Sequence, residues 1–223
     1  MATRIKVCGI TRHEDAVAAA AVGVDALGLV FYPRSARFVT PQRAAAIANP
    51  LPPFLIRVGL FVNAPLTEIM AILSLGFLHS VQLHGDETIA ECAQLRLAIQ
   101  EAGLSVSLIK ALRIATKEDL PDPRQWPVDA LLLDAKVSGH YGGSGQSFTW
   151  SVLDREWRNM AQSTGKPFIL AGGLTPDNVA AAITQVRPYA VDLSTGVESA
   201  PGIKEEAAMK RLVQQVRLAE GLL

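Results

Sequence analysis

The sequence predicts an α/β protein, a single (β/α)8 TIM barrel, on three observations. Short apolar runs recur eight times with helical stretches between them, the first strand-to-helix loop lacks a dinucleotide-binding glycine pattern, and the glycine-rich loops come late. Near-continuous Val, Leu, Ile and Phe is what parallel strands covered on both faces require. An open doubly wound sheet would carry Gly-x-Gly-x-x-Gly in its first βα loop, where this chain reads Cys8-Gly9-Ile10-Thr11. Barrel enzymes instead often bind phosphate after strands seven and eight. The 223 residues suit one catalytic barrel domain, residues 1–223.

The predicted strands are Ile5–Cys8, Asp25–Phe31, Phe54–Val62, Ser80–Leu83, Val106–Leu112, Ala130–Leu133, Pro167–Ala171 and Tyr189–Leu193. Helix starts lie between them. Thr11-Arg12-His13-Glu14 reads as a capping box, in which hydroxyl and carboxylate satisfy free amides. Thr40-Pro41 and Thr175-Pro176 put a cap before a proline at the first helical position. Thr116-Lys117-Glu118-Asp119 opens a fifth helix that Pro121 and Pro123 soon crowd. In the final helix Ala208, Leu212 and Val216 form one apolar stripe beside Met209 and Val213.

Composition narrows the function. Hydrophobic residues make up 49% of the chain, enough for a continuous core, and 21 basic residues balance 21 acidic ones. No basic excess points to nucleic acid or an anionic membrane. The start shows no secretory signal and no apolar run is long enough to cross a bilayer. Cys8 and Cys92 form neither a disulfide framework nor a metal-ligand pattern, and the four histidines add no metal spacing, so a cytoplasmic, metal-free protein is expected.

The late loops carry the first chemical signal. Leu170-Ala171-Gly172-Gly173-Leu174-Thr175 follows strand seven, and Asp192-Leu193-Ser194-Thr195-Gly196-Val197-Glu198 ends strand eight. Glycines let backbone amides approach an anion, and Ser194 and Thr195 add hydroxyls. One glycine pair alone would be a tight turn; two matched loops on neighbouring strands point to phosphate. Gly139-His140-Tyr141-Gly142-Gly143-Ser144-Gly145, after strand six, reads equally as a surface connection or as a cover over the barrel mouth.

Titratable groups gather at the same strand ends. Cys8 alone would be a small buried hydrophobe, but it closes strand one, where the following helix start could stabilise a thiolate base or nucleophile. Cys92 lies within a helix and reads as packing. Asp134 follows three leucines with no helix until about Trp150, which makes it a candidate acid or base; Asp192 competes, although its place suggests orientation of the phosphate loop. After strand two, Arg34 and Arg37 could each pair with a substrate carboxylate or be a solvated charge, and spacing does not choose. His84, ending strand four, is either a proton donor at the mouth or, more commonly for such a residue, a satisfied structural histidine.

Taken in order, the segments resemble the phosphoribosylanthranilate isomerase family of tryptophan biosynthesis. The matching pieces are Lys6-Val7-Cys8-Gly9-Ile10-Thr11, Phe31-Tyr32-Pro33 through Arg37, Val58-Gly59-Leu60-Phe61-Val62-Asn63 and Val81-Gln82-Leu83-His84-Gly85. Leu132-Leu133-Asp134, Gly142-Gly143-Ser144-Gly145, Ala171-Gly172-Gly173-Leu174 and Ser194-Thr195-Gly196-Val197-Glu198 complete the set.

The resemblance implies a cofactor-free Amadori rearrangement of N-(5'-phosphoribosyl)anthranilate to 1-(2-carboxyphenylamino)-1-deoxy-D-ribulose 5-phosphate. It makes Asp134 the general acid, Cys8 the general base and Arg37, rather than Arg34, the holder of the anthranilate carboxylate. Phosphate then falls to Gly143, Gly172, Gly173, Ser194 and Gly196. A thiol ordinarily near pKa ~8.5 needs a modest depression to serve as a base near neutrality, and the acid must keep its proton long enough to give it away. The partner implied is a small phosphoribosyl substrate; monomer and homodimer fit alike.

Two positions depart from the family pattern. Thr195 stands where a second serine is common, and Thr149 in Phe148-Thr149-Trp150 where aspartate is common. In several bacteria this barrel is fused behind indole-glycerol-phosphate synthase; Met1 so close to strand one implies a monofunctional chain. The related histidine-pathway isomerase is the enzymatic alternative. It uses an aspartate where this chain has Cys8, and a second after strand five, where Ile109-Lys110-Ala111-Leu112 has none. A non-catalytic phosphate-ligand sensor is the other alternative, and it would need neither Cys8 nor Asp134.

Overall fold

The computed structural model describes residues 2–135, 150–153 and 155–221. Eight parallel strands close into a barrel in chain order, β1 (Arg4–Cys8), β2 (Ala26–Val30), β3 (Ile56–Phe61), β4 (Ser80–Leu83), β5 (Ser107–Ile114), β6 (Ala130–Ala135), β7 (Phe168–Ala171) and β8 (Ala190–Leu193). Closure is through β1 and β8, with Ile5 beside Val191 and Val7 beside Leu193. All eight predicted strands form. Phe54, expected to open the third, lies outside it and is 94% exposed.

Strand alternation divides the core. Ile5, Val7, Leu27, Leu29, Leu131, Leu133 and Leu170 face outward into a layer closed by helices. The inward face is lined by smaller groups, among them Val58, Ile109, Ala111, Ala130, Leu132, Ile169, Ala171 and Ala190. Lys6 and Cys8, two residues apart, share that inner face; both are buried.

The helices covering the barrel are α1 (His13–Val22), α2 (Pro41–Ala48), α3 (Leu66–Leu73), α4 (Ile89–Glu101), α5 (Arg155–Ser163), α6 (Val179–Val186) and α7 (Glu206–Ala219). Thr40 caps α2 as its sequence implies, its Oγ1 accepting from the Arg43 amide at 3.2 Å. The final helix buries Met209, Leu212 and Val216, while Ala208 is only half-buried.

Three expected helix starts differ. Thr11 does not cap α1: its hydroxyl donates to the Gly202 carbonyl at 2.6 Å, and the helix begins after Arg12, whose guanidinium holds Asp15. Thr175-Pro176 begins a turn rather than a helix; Asn178 accepts from the Thr175 amide at 2.8 Å, and α6 starts at Val179. No α-helix forms between β5 and β6. The Asp119 carboxylate takes the Ala115 and Thr116 amides, and Pro121 and Pro123 stop the helix from propagating, leaving single 3-10 turns at Lys117–Asp119 and Pro123–Gln125.

Beyond β8 the chain makes a 3-10 turn at Thr195–Val197 and a small antiparallel hairpin, β9 (Glu198–Ala200) with β10 (Ile203–Lys204). This hairpin folds back over the start of α1. It delivers Glu198 and Lys204 to the barrel mouth.

Candidate active site

Cys8 ends β1 on the inner face, 6% exposed, against Val30 and Leu60. Gly28 leaves the room for it: a Cβ there would stand 2.6 Å from the sulfur. The Lys6 ammonium, on the same face, donates to Asp192 Oδ1 at 2.9 Å with both side chains buried. Lys204 Nζ donates to the Cys8 carbonyl at 2.5 Å and to Glu198 Oε1 at 2.8 Å.

These charges pull on the thiol in opposite directions. Burial pushes the Cys8 thiol up; Lys6 and Lys204 pull it down, Asp192 adds to the rise, and the net direction is upward. The depression expected of a neighbouring helix start is not found. Helix α1 begins only at His13, and the Gly9 and Ile10 amides are both spent on the Gly28 carbonyl.

Arg37 lies at the same rim. Its Nε and Nη2 donate to Glu198 Oε1 and Oε2 at 2.7 and 2.5 Å, whereas Arg34 is exposed. Gly9 permits this approach, since a Cβ there would meet the Arg37 Cδ at 2.4 Å and the Ser194 hydroxyl at 3.2 Å. Loops after β1, β2 and β8 therefore converge on one point. Burial would raise the Glu198 carboxyl, but Arg37 and Lys204 hold it below the ordinary carboxylate range. The Lys204 ammonium is also moved below its ordinary range, its burial outweighing the pull of Glu198. The carboxylate has two cations and the ammonium one anion, so ionised Glu198 is the fixed point of the cluster.

Across the mouth, Asp134 is the last but one residue of β6, on the same face as Ala130 and Leu132, and its Oδ2 lies 3.1 Å from His84 Nε2. His84 Nδ1 in turn lies 2.7 Å from the Gln82 amide nitrogen. His84 is therefore satisfied at both ring nitrogens, and it sits partly exposed rather than inside the core. Asp192, the sequence competitor for acid or base, is tied to Lys6.

The late loops lie beside this rim. Gly172 and Gly173 both adopt left-handed backbone, at φ 87° and 64°. Gly196 packs so closely on the β7 loop that a Cβ would come within 2.2 Å of the Leu174 carbonyl. Among the described residues the amides of Gly173, Leu174, Thr195 and Gly196 have no acceptor. Ser194 sits by Lys204, its carbonyl 3.2 Å from Nζ. Gly143, with the whole Gly139–Gly145 loop, lies outside the described residues.

Sequence reasoning missed Lys6, Glu198, Lys204 and Gln82. Lys6 left a local signal, a charge two residues before Cys8 in the otherwise apolar run Ile5–Cys8. Lys204 left none, being 196 residues from the carbonyl it holds.

Titratable side chains and glycine-rich loops gathered at the carboxyl-terminal mouth of a closed parallel barrel define a class, the (β/α)8-barrel enzymes, which keep their chemistry at that end. The family described as N-(5'phosphoribosyl)anthranilate (PRA) isomerase matches residues 5–215. The chain belongs to that isomerase family. An N-(5'-phosphoribosyl)anthranilate isomerase from Magnetococcus marinus is 50% identical over 220 residues, 99% of this chain and 98% of its own. One from Pseudomonas fluorescens Pf-5 is 49% identical over 221 residues, covering 97% and 96%.

Solved structures agree. Phosphoribosyl anthranilate isomerase from Thermotoga maritima matches with a TM-score of 0.84 at 39% identity, over 99% of this chain and 100% of that one. Another, in complex with reduced 1-(o-carboxyphenylamino)-1-deoxyribulose 5-phosphate, matches at 0.81 and 36%, over 99% and 100%.

Proposed function

We propose that this isomerase of tryptophan biosynthesis rearranges N-(5'-phosphoribosyl)anthranilate with Asp134 as general acid and Cys8 as general base. The observation that carries the assignment is their placement: Cys8 is the last residue of β1 and Asp134 the last but one of β6, and strand parity sets both on the inner face at the carboxyl-terminal end of the barrel.

Phosphate would seat on the amides of Gly173, Leu174, Thr195 and Gly196, with Gly172 and Ser194 shaping the two loops. Arg37, held by Glu198, would turn its remaining donors to the anthranilate carboxylate. The ribose is then spanned between β1 and β6. Asp134 gives its proton to the ring oxygen as the C1–O bond breaks, and the nitrogen lone pair forms a protonated Schiff base. The Cys8 thiolate takes the C2 proton, and that electron pair neutralises the nitrogen as an enolamine. Loss of the C2 hydroxyl proton and protonation of C1 give the ketone, with no net proton consumed. Lys6 and Lys204 favour the thiolate against burial, and a buried thiol holds the abstracted proton firmly.

Substrate fluorescence provides the test. Cys8→Ala and Asp134→Asn should each lower turnover by about 10²–10⁴-fold, the usual contribution of a positioned acid or base, with ligand binding largely kept. Full activity in either variant removes that residue from the mechanism.

No helix among the described residues is long and apolar enough to cross a membrane. We place the enzyme in the cytoplasm, a setting supported by two buried free cysteines. It would act as a monomer or a homodimer; a Thermotoga maritima relative is described as dimeric, with monomers generated from it. Sedimentation equilibrium distinguishes the two.

A further inference from the structure

Three side chains form a line from the barrel interior to its mouth. Gln82 is completely buried inside β4. Its amide nitrogen is 2.7 Å from His84 Nδ1, and His84 Nε2 is 3.1 Å from Asp134 Oδ2. Because the amide nitrogen can only donate, Nδ1 accepts, and a neutral ring carries its proton on Nε2, directed at the Asp134 carboxylate.

The rest of the loop is clamped so that this line holds. The His84 amide donates to the Phe61 carbonyl at 2.8 Å. The next residue is gripped at both ends: the Gly85 amide donates to Glu87 Oε2 at 2.9 Å, and the Gly85 carbonyl accepts from Lys110 Nζ at 2.8 Å. Glu87 and Lys110 are themselves a buried ion pair at 2.7 Å. Such bracing exceeds what a surface histidine needs.

One atom in the line is left over. Gln82 Oε1 is one of two buried side-chain polar atoms without a partner among the described residues. An apolar side chain of the same volume would carry no such acceptor. The side-chain bond that Gln82 makes is the one to His84 Nδ1 at 2.7 Å.

We propose that Gln82 fixes the tautomer of His84, and that His84, through its Nε2–H, is the positioning residue that holds Asp134 toward the substrate. The inference rests on Asp134 being the acid. In this role His84 acts through Asp134: its Nε2–H donates to Oδ2 as the carbonyl oxygen of the carboxyl group, which leaves the proton to be given to the ribose on Oδ1. Glutamine suits the task because its nitrogen compels Nδ1 to accept, which leucine or methionine at the same position does not.

The first test needs no substitution. In 15N-labelled wild-type protein at neutral pH, long-range 1H–15N correlation should show His84 protonated at Nε2 and bare at Nδ1. A proton on Nδ1 would overturn the assignment. In Gln82→Met, the ring should lose this single tautomer while circular dichroism and Tm report an intact barrel; an unchanged tautomer would also overturn it.

Kinetics supply the second test. His84→Leu should lower kcat by about 10²-fold, the scale of misplacing a reacting group by about an ångström, with KM nearly unchanged. His84→Gln, whose amide nitrogen reaches the Nε2 position, should recover at least a tenth of wild-type kcat. A His84→Leu enzyme with kcat within twofold of wild type, or no difference between the two variants, defeats the proposal. Asp134→Asn separates the two levels. If it is inactive while His84→Leu is fully active, only the positioning role falls; if Asp134→Asn is itself active, the acid assignment falls with it.

Discussion

Arg37 and Glu198, 161 residues apart in sequence, meet in a two-pronged ion pair, Nε to Oε1 at 2.7 Å and Nη2 to Oε2 at 2.5 Å. Both prongs lie in the guanidinium plane, so the pair fixes that plane as well as its position. Glu198→Gln keeps the volume and loses the charge. Hydrogen bonds to charged groups contribute about 1.5–3 kcal/mol, so KM for the aminoribose substrate should rise ten-fold or more while kcat changes less. Arg37→Ala should raise KM further. An unchanged KM in either variant would count against Arg37 as the carboxylate holder.

The same carboxylate predicts a pH dependence of stability. Burial alone would raise Glu198, but Arg37 and Lys204 hold it below the ordinary carboxylate range. Its contribution is therefore complete above that range and is lost as pH falls through the depressed value. Thermal melts of the wild type should lose Tm as pH is lowered through and below about 4, the usual glutamate range. Glu198→Gln should start from a lower Tm at neutral pH and show a shallower acid slope. Parallel slopes would mean that other carboxylates govern acid unfolding.

The barrel was legible because strand parity is local. The eight strands each carry their inward and outward faces within four to eight residues, and Thr40-Pro41 carries its own cap. The fifth helix failed because Asp119 competes for the Ala115 and Thr116 amides before helix can propagate, and Thr11 failed because a carbonyl in the distant β9–β10 turn takes its hydroxyl. At the site, Cys8 and Asp134 could be read as candidates from strand ends, whereas Arg37 is told from Arg34 only by the family resemblance. The charges that surround them could not, because Lys204 and Glu198 reach the mouth only once β8 has closed against β1.

Thiol chemistry offers a signed test of that hidden charge. Lys6 pulls the Cys8 thiol down and Asp192 pushes it up, although burial is the larger influence. Lys6→Met should move the pH midpoint of Cys8 alkylation upward, and Asp192→Asn should move it downward. Cys92, pushed up to about 11 by burial within α4, supplies a slower background that Cys92→Ser removes. Two shifts of the same sign would refute this electrostatic account. Each variant also breaks a buried ion pair, so both should lose roughly 3–5 kcal/mol of stability and need comparison well below their melting temperatures.

Gly28 is where fold and chemistry make opposite demands on one position. It lies in β2 beside Cys8, and a Cβ there would stand 2.6 Å from the sulfur and 3.0 Å from the Cys8 Cα. A strand interior ordinarily gains from alanine, which has less backbone freedom to lose. Here the extra methyl must displace a backbone atom or the thiol, and the thiol is the softer of the two. Gly28→Ala should therefore cost about 1–3 kcal/mol from overpacking yet leave a folded barrel. The catalytic loss should be larger, with kcat falling by about 10²-fold for a base displaced by about an ångström. Steady-state kinetics beside a denaturant melt decide it. A variant that melts early but keeps its kcat would show that the strand yields rather than the sulfur, and that the position of Cys8 is less constrained than its packing implies.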